Sequence, residues 1–318
     1  MGKVRIIEVP CDLGAGKRGA SLGIEALKLQ AVQEGKQLFW QKDIKSAKNI
    51  NSILHAHEPI AKTGKFVNEI ASICEEATSL VEEGALLKKS MLVLAGDHST
   101  AVSTISGLVK AFPEKSLGVI WIDAHADMHS PYTSPSGNVH GMPLGAAMGR
   151  DFQRAIDDGN DGWKRMCSLS GITPAIYPES VLTIAVRDTE KPEDDFILSQ
   201  GIKQISVDQF QEKGLKGVQH ILDEHIEKVD MLYVTFDVDS MDPSVSKGTG
   251  TPVPNGLKQN EAEALLLYLA NNAKCKAVEM VEINPLLDNE NRMAKSALTL
   301  FEKLYKTLEE RDTKSAKE

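Results

Sequence analysis

The sequence predicts an α/β fold of three layers, α/β/α, with a mainly parallel central sheet. Two observations predict it. Apolar runs near 3–9, 91–95, 117–122, 181–186, 203–207, 231–236 and 277–283 alternate with helical patterns at 66–89, 99–111, 209–227, 259–272 and 290–310. Such alternation builds a parallel sheet. Runs such as Leu117-Gly-Val-Ile-Trp-Ile122 and Met231-Leu-Tyr-Val-Thr-Phe236 are nearly continuous in apolar character, as strands covered on both faces must be.

No Pro/Ser-rich linker, internal repeat or low-complexity tract interrupts this alternation. One domain over 1–318 is therefore expected, with a charged, frayed tail from about 311. The 318 residues are 42% hydrophobic and 25% charged, which suits a chain with a large core. A formal net charge of -9 repels phosphate backbones, and no basic run is interleaved with aromatics, so a nucleic-acid partner is not expected. The same charge suits a small cationic substrate. The N-terminal segment runs straight into a strand without an apolar leader, and no run reaches the ~18 residues of a membrane span. The four cysteines, Cys11, Cys74, Cys167 and Cys275, form no close pair. Reduced thiols in a cytoplasmic protein are expected, with no membrane partner.

Acidic residues and histidines gather where apolar strands end: Gly96-Asp97-His98-Ser99, Asp123-Ala-His125-Ala-Asp127, and Phe236-Asp237-Val-Asp239. In an extended chain, residues i, i+2 and i+4 share a face, so each group can converge on one point. Ligand crevices of open α/β sheets lie at the carboxyl ends of strands. A lone Asp-x-His is commonly a surface turn, but three such groups at three strand ends are not. Four carboxylates packed together are unfavourable without cations. The set His98, Asp123, His125, Asp127, Asp237 and Asp239 is oxygen-rich, has two imidazoles and no thiolate, and so favours two Mn²⁺ over a cysteine-type zinc site. Ligand softness leaves Co²⁺, Fe²⁺ and Ni²⁺ open.

These motifs, together with Ser240-Met-Asp242-Pro243, Gly248-Thr-Gly250-Thr251-Pro252 and Glu282-Ile-Asn284-Pro285, resemble the ureohydrolase family: arginases, agmatinases, formiminoglutamases and their relatives. The resemblance spans nearly the whole chain and implies the arginase-like form of the fold. Ser134-Pro-Ser136-Gly137-Asn138-Val-His140 resembles the substrate loop of arginases, an element agmatinase-type enzymes usually lack. It implies Ser136 and Asn138, assisted by Ser134, as contacts to an α-carboxylate. Glu190 and Glu193 match acidic contacts to an α-ammonium. His129 departs from the pattern, since arginases commonly place an Asn there against the carboxylate; a histidine still donates a hydrogen bond.

The resemblance implies hydrolysis of the guanidinium group of L-arginine to L-ornithine and urea, with water activated between two metals. Glu282 would hold the guanidinium, Asp127 would bridge both metals and help move a proton, His140 would shuttle protons, and Thr251 would line the site. It also implies a homo-oligomer, a trimer or hexamer. The alternatives are a related amidinohydrolase acting on agmatine, guanidinobutyrate or a formimino compound, and a catalytically dead regulatory homologue, which would signal itself by a lost ligand.

Gly14-Ala-Gly16-Lys-Arg-Gly19 fits a dinucleotide fingerprint, but a lone match is weak. Ser21 reads as the cap of the helix that follows. His55, His57, His220 and His225 read as solvated.

Overall fold

A computed structural model describes residues 4–40, 42–55, 58 and 63–315. Eight strands form one sheet: β1 Val4–Val9, β2 Asp43–Ser46, β3 Ser90–Ala95, β4 Leu117–Ile122, β5 Val181–Ile184, β6 Lys203–Ile205, β7 Met231–Asp237 and β8 Cys275–Val281. Their order is β2-β1-β3-β8-β7-β4-β5-β6, and every pairing is parallel. The helices are α1 Gly23–Gln33, α2 Val67–Leu86, α3 Ala101–Ala111, α4 Pro143–Ala147, α5 Phe152–Asp157, α6 Asp161–Cys167, α7 Lys191–Gln200, α8 Val207–Glu227, α9 Gln259–Ala270 and α10 Arg292–Ser315.

Side chains alternate between two cores, one on each face of the sheet. Ile7, Val119 and Trp121 join the core under α2, α3, α4 and α6. Ile6, Ile120 and Ile122 join the core under α1, α8, α9 and α10. The period of two along a strand produces this division, and it explains why β4 and β7 are buried along their whole length. The three-layer parallel fold is as expected. No helix among the described residues is long and apolar enough to cross a membrane.

Several local expectations need correction. The frayed tail does not begin near 311, because α10 continues to Ser315. Arg311 fastens it by donating to the carbonyls of Ala270 and Asn272, 2.7 and 2.8 Å away. Ser21 is not a helix cap: its hydroxyl donates to Asp12 Oδ2 at 3.0 Å. Strand β2 and helices α4 to α7 escaped the sequence reading, while a helix does follow Ser21 as α1. The four residues of β2 are mostly half-buried at the sheet edge and carry no apolar run.

His225 is also not solvated. It lies on α8 with 4% exposure, and its Nε2 has no hydrogen-bond partner. His220 is exposed, as expected, and His57 lies outside the described residues. Burial, reinforced by the charges of Lys203 and Lys228, pushes the His225 pKa down to about 4. The unfolded chain would protonate it near 6.5. Between those values the unfolded state binds the proton and the native state does not, so stability is lost as pH falls through that window. The loss attributable to this group is about 3 kcal/mol in total. Denaturant unfolding of chelator-treated wild type and His225→Gln at pH 7 and pH 4 checks it: the stability difference between the two should shift by about that amount, and a constant difference would contradict it.

Candidate active site

Four neighbouring strands, β3, β8, β7 and β4, end on one side of the sheet, and each delivers chemistry as it ends. Gly96, Asp97 and His98 follow β3; Asp123 follows β4; Asp237 closes β7, with Asp239 two residues on; Glu282 follows β8. Only glycine fits at 96, where a Cβ would stand 1.9 Å from the Cys11 carbonyl oxygen. The segment after β1 is thereby drawn against the floor of the site. Asp97 then anchors it, accepting from the amides of Gly14 and Ala15 at 2.7 and 3.0 Å. Three amides of the 14–19 stretch are thus committed to carboxylates, that of Gly19 to Asp12 Oδ2 at 2.8 Å. This stretch is a packing loop.

Two clusters of ligating atoms lie at the floor. In the first, His98 Nδ1 stands 2.9 Å from Asp123 Oδ2, 3.0 Å from Asp127 Oδ2 and 3.5 Å from Asp237 Oδ2. In the second, His125 Nδ1 stands 3.4 Å from Asp123 Oδ1 and 3.1 Å from Asp239 Oδ2. The ligand atoms of His98, Asp123 and Asp237, and those of Asp123, His125 and Asp239, each lie within 4.8 Å of one another. Asp123 therefore faces both clusters, one oxygen to each. The residue expected in that bridging position was Asp127, which contacts the His98 cluster. Its backbone is the reason: Asp127 has φ 54, a conformation that non-glycine residues seldom adopt, and it turns the carboxylate towards His98.

Whether cations fit here is decided by His98. Its Nε2 meets Thr235 Oγ1 at 2.9 Å, and its ring stacks on Trp121 with centroids 4.1 Å apart. Its Nδ1 is buried, makes no directional hydrogen bond, and yet faces three carboxylates. An imidazole lone pair surrounded by carboxylate oxygens is the arrangement of ligands around a shared cation. Without one the cluster holds protons instead. Burial alone would lower the His98 pKa, but contact with Asp123, Asp127 and Asp237 raises it well above its ordinary value. Burial and the charges of Asp239 and Asp123 push Asp237 far up, and burial with the Asp123 charge raises Asp127 to about 7. The residues fit two divalent cations.

Above this floor lies a cavity of about 260 Å³. His140 and Glu282 line its depth. Glu282, also at positive φ (65°), accepts at Oε1 from the His98 amide at 3.2 Å and faces His140 Nδ1 at 3.1 Å. Burial would lower the His140 pKa, but the Glu282 contact raises it to about 9. Thr251 donates to Asp239 Oδ2 at 3.2 Å.

The rim carries the remaining expected residues. Ser134, Ser136 and Asn138 line the cavity, and so do His129, Glu190 and Glu193. Ser134 Oγ and Ser136 Oγ accept backbone amides at 3.0 and 3.2 Å and face each other at 3.3 Å, so one hydroxyl proton is shared between them and the other is left for a ligand. His129 differs from the expectation of a carboxylate donor. Its Nδ1 faces Thr133 Oγ1 at 3.1 Å, and its Nε2 stands 2.5 Å from Glu190 Oε2 and 3.3 Å from Glu193 Oε2. Both ring nitrogens are engaged within the protein.

Sequence reasoning missed the residues that hold the ligands. Thr235 orients His98, and Trp121 Nε1 donates to Asp123 Oδ2 at 3.0 Å. A signal was available for Trp121, which sits two residues before a ligand on the same strand face. Lys65 donates to Asn138 Oδ1 at 3.1 Å, fixing which end of that amide meets the cavity; no local pattern marks it.

Comparison with known proteins adds an independent line. A family model described as the arginase family matches residues 2–306. An arginase of Brevibacillus brevis is 33% identical over 301 residues, covering 94% of this chain and 96% of that protein. The native structure of arginase from Bacillus caldovelox matches with TM-score 0.80 at 32% identity, over 96% of this chain and 98% of that one. An Entamoeba histolytica arginase in complex with L-ornithine matches with TM-score 0.82 at 27% identity, over the same shares. With the fold, the strand-end ligands and the matched length in agreement, the chain belongs to the arginase family.

Proposed function

We propose that this chain hydrolyses L-arginine to L-ornithine and urea, as one catalytic domain holding two Mn²⁺ ions. The observation that carries the reading is the pair of His/Asp clusters sharing Asp123 beneath a cavity whose rim bears hydroxyl and amide donors. His98, Asp123, Asp127 and Asp237 would hold one ion, and His125, Asp123 and Asp239 the other. When bound, such ions acidify a shared water and stabilise charge that develops beside them.

The rest is the work of the chain itself. Glu282 Oε1 is committed to His98 and His140, so Oε2 remains to hold the guanidinium by a charge-assisted pair. Hydrolysis joins the water oxygen to the guanidinium carbon and breaks that carbon's bond to the δ-nitrogen. Both water protons end on the departing amine. His140, protonated at neutral pH and fixed at Nδ1 by Glu282, has Nε2 free to pass a proton into the cavity. Asp127 stands in the same cavity as a further proton carrier. Ser134, Ser136 and Asn138 would receive the α-carboxylate, and Glu190 and Glu193 face the α-ammonium end. Thr251 closes the wall by Asp239.

The same reading carries a homo-oligomer, a trimer or hexamer, in the cytoplasm; the four free, buried cysteines suit a reducing compartment.

Arginine against agmatine tests the substrate. Agmatine lacks the carboxylate, and leaving two loop donors without their ligand costs roughly 1–3 kcal/mol each. At ~1.4 kcal/mol per tenfold, the expected preference for arginine in kcat/KM is about a hundredfold. Urea release from both compounds on one Mn²⁺-loaded preparation measures it, and equal efficiencies would reject the carboxylate reading of the loop.

A further inference from the structure

The acidic wall of the cavity is already occupied by the protein. Glu190 opens α7 as its N-cap, and its side chain accepts the backbone amide of Glu193. Glu193 spends its own oxygens on the backbone amides of Met128 and Glu190, at 3.0 and 3.3 Å. His129 Nε2 then stands 2.5 Å from Glu190 Oε2 and 3.3 Å from Glu193 Oε2. The ring cannot readily swing away. It is 4% exposed, its Nδ1 meets Thr133 Oγ1, and its own amide donates to the Gly141 carbonyl at 3.0 Å.

An incoming ammonium would need those same carboxylate oxygens. To reach them it must displace an imidazole held within the protein, and the bond lost offsets the bond gained. Elsewhere in the cavity Ser134 Oγ and Ser136 Oγ share one proton at 3.3 Å, which leaves the other hydroxyl proton and the amide nitrogen of Asn138 without such an internal partner among the described residues. The cavity thus presents open donors for a carboxylate and closed acceptors for an ammonium.

We propose that His129 is a specificity-determining residue that stands in for the substrate's α-ammonium, so that the site takes ω-guanidino carboxylates with or without an α-amino group. This rests on the arginine reading above. It adds that arginine and its des-amino analogue, 5-guanidinovalerate, are recognised alike.

The test uses the products' chemistry, so that binding is read apart from turnover. Ornithine and 5-aminovalerate differ only in the α-ammonium. Calorimetric titration of each into the Mn²⁺-loaded full chain should give dissociation constants within about threefold of one another. In His129→Asn, whose shorter amide frees Glu190, ornithine should gain at least tenfold over 5-aminovalerate. A wild-type preference for ornithine of tenfold or more would overturn the proposal, and this arm needs no variant to fold. A ratio unchanged in a folded His129→Asn would also overturn it. Urea release from arginine by the same preparation separates the two claims. Hydrolysis together with a strong ornithine preference removes only the role of His129; no urea release and no binding of either compound removes both claims.

Discussion

Asp123→Asn lowers the rate of urea release from arginine by more than about a thousandfold, the largest single effect the site geometry implies. Asn keeps the size of the side chain, so the change is one of charge and donor set. One Asp123 oxygen faces His98 and the other faces His125, so this substitution weakens both cation sites together, whereas Asp239→Ala touches the His125 cluster. Removing the shared ligand removes the geometry in which two ions act on one water, and with it most of the rate enhancement such sites supply. Stability falls as well. Burial would raise the Asp123 pKa, but its contacts with His125 and His98 hold it well below the usual carboxylate range, so its charge stabilises the metal-free fold. The chelator-treated variant is therefore expected to be less stable than the chelator-treated wild type. Steady-state urea release at saturating Mn²⁺ measures the first effect and denaturant unfolding the second. Activity within tenfold of wild type would remove Asp123 from the centre of the site.

Glu282→Gln is expected to cost about a thousandfold in kcat/KM for arginine. A hydrogen bond to a charged group contributes about 1.5–3 kcal/mol, and the upper value is near a hundredfold in rate. The remainder comes from His140. Glu282 both fixes the His140 ring at 3.1 Å and holds its pKa near 9, and losing part of the contribution of a positioned proton carrier supplies the further factor of about ten. Because Glu282 lies at φ 65, a backbone already shaped for this side chain, the isosteric Gln should leave the fold and the metal content as they were. The measurement is kcat/KM with metal analysis of the same sample. A loss under tenfold, with metals retained, would show that the guanidinium is held elsewhere.

Much of the candidate site was readable in the sequence because its candidate ligands are short-range features. His98, Asp123, His125, Asp237 and Asp239 fall at strand ends and at even spacings, and the period of two along a strand brings them to one face. What was not readable depends on backbone torsion or on distant neighbours. Asp127 keeps the same spacing as the other ligands, yet its positive φ decides that Asp123 and not Asp127 spans the two clusters. His129 sits 61 and 64 positions before Glu190 and Glu193, and only the packing of α7 against the loop after β4 brings the three together. His225 reads as solvated because α8 is polar in sequence, and the backbone it meets at Val119 and Ser180 is not local. The tail from 311 reads as frayed because charge dominates it, while the carbonyls that secure Arg311 lie some 40 residues earlier. Strand β2 carries no pattern at all and is recruited by the edge of β1.

The site geometry calls for two cations held by one shared carboxylate, that of Asp123. Equilibrium dialysis of the full chain against Mn²⁺, with metal and urea release measured on the same samples, tests it most directly. The expected result is about two Mn²⁺ per chain at saturation, activity that rises with the second equivalent and is abolished by chelation, and fewer than one tightly held ion in Asp123→Asn. Full activity on arginine with one equivalent or none would contradict it.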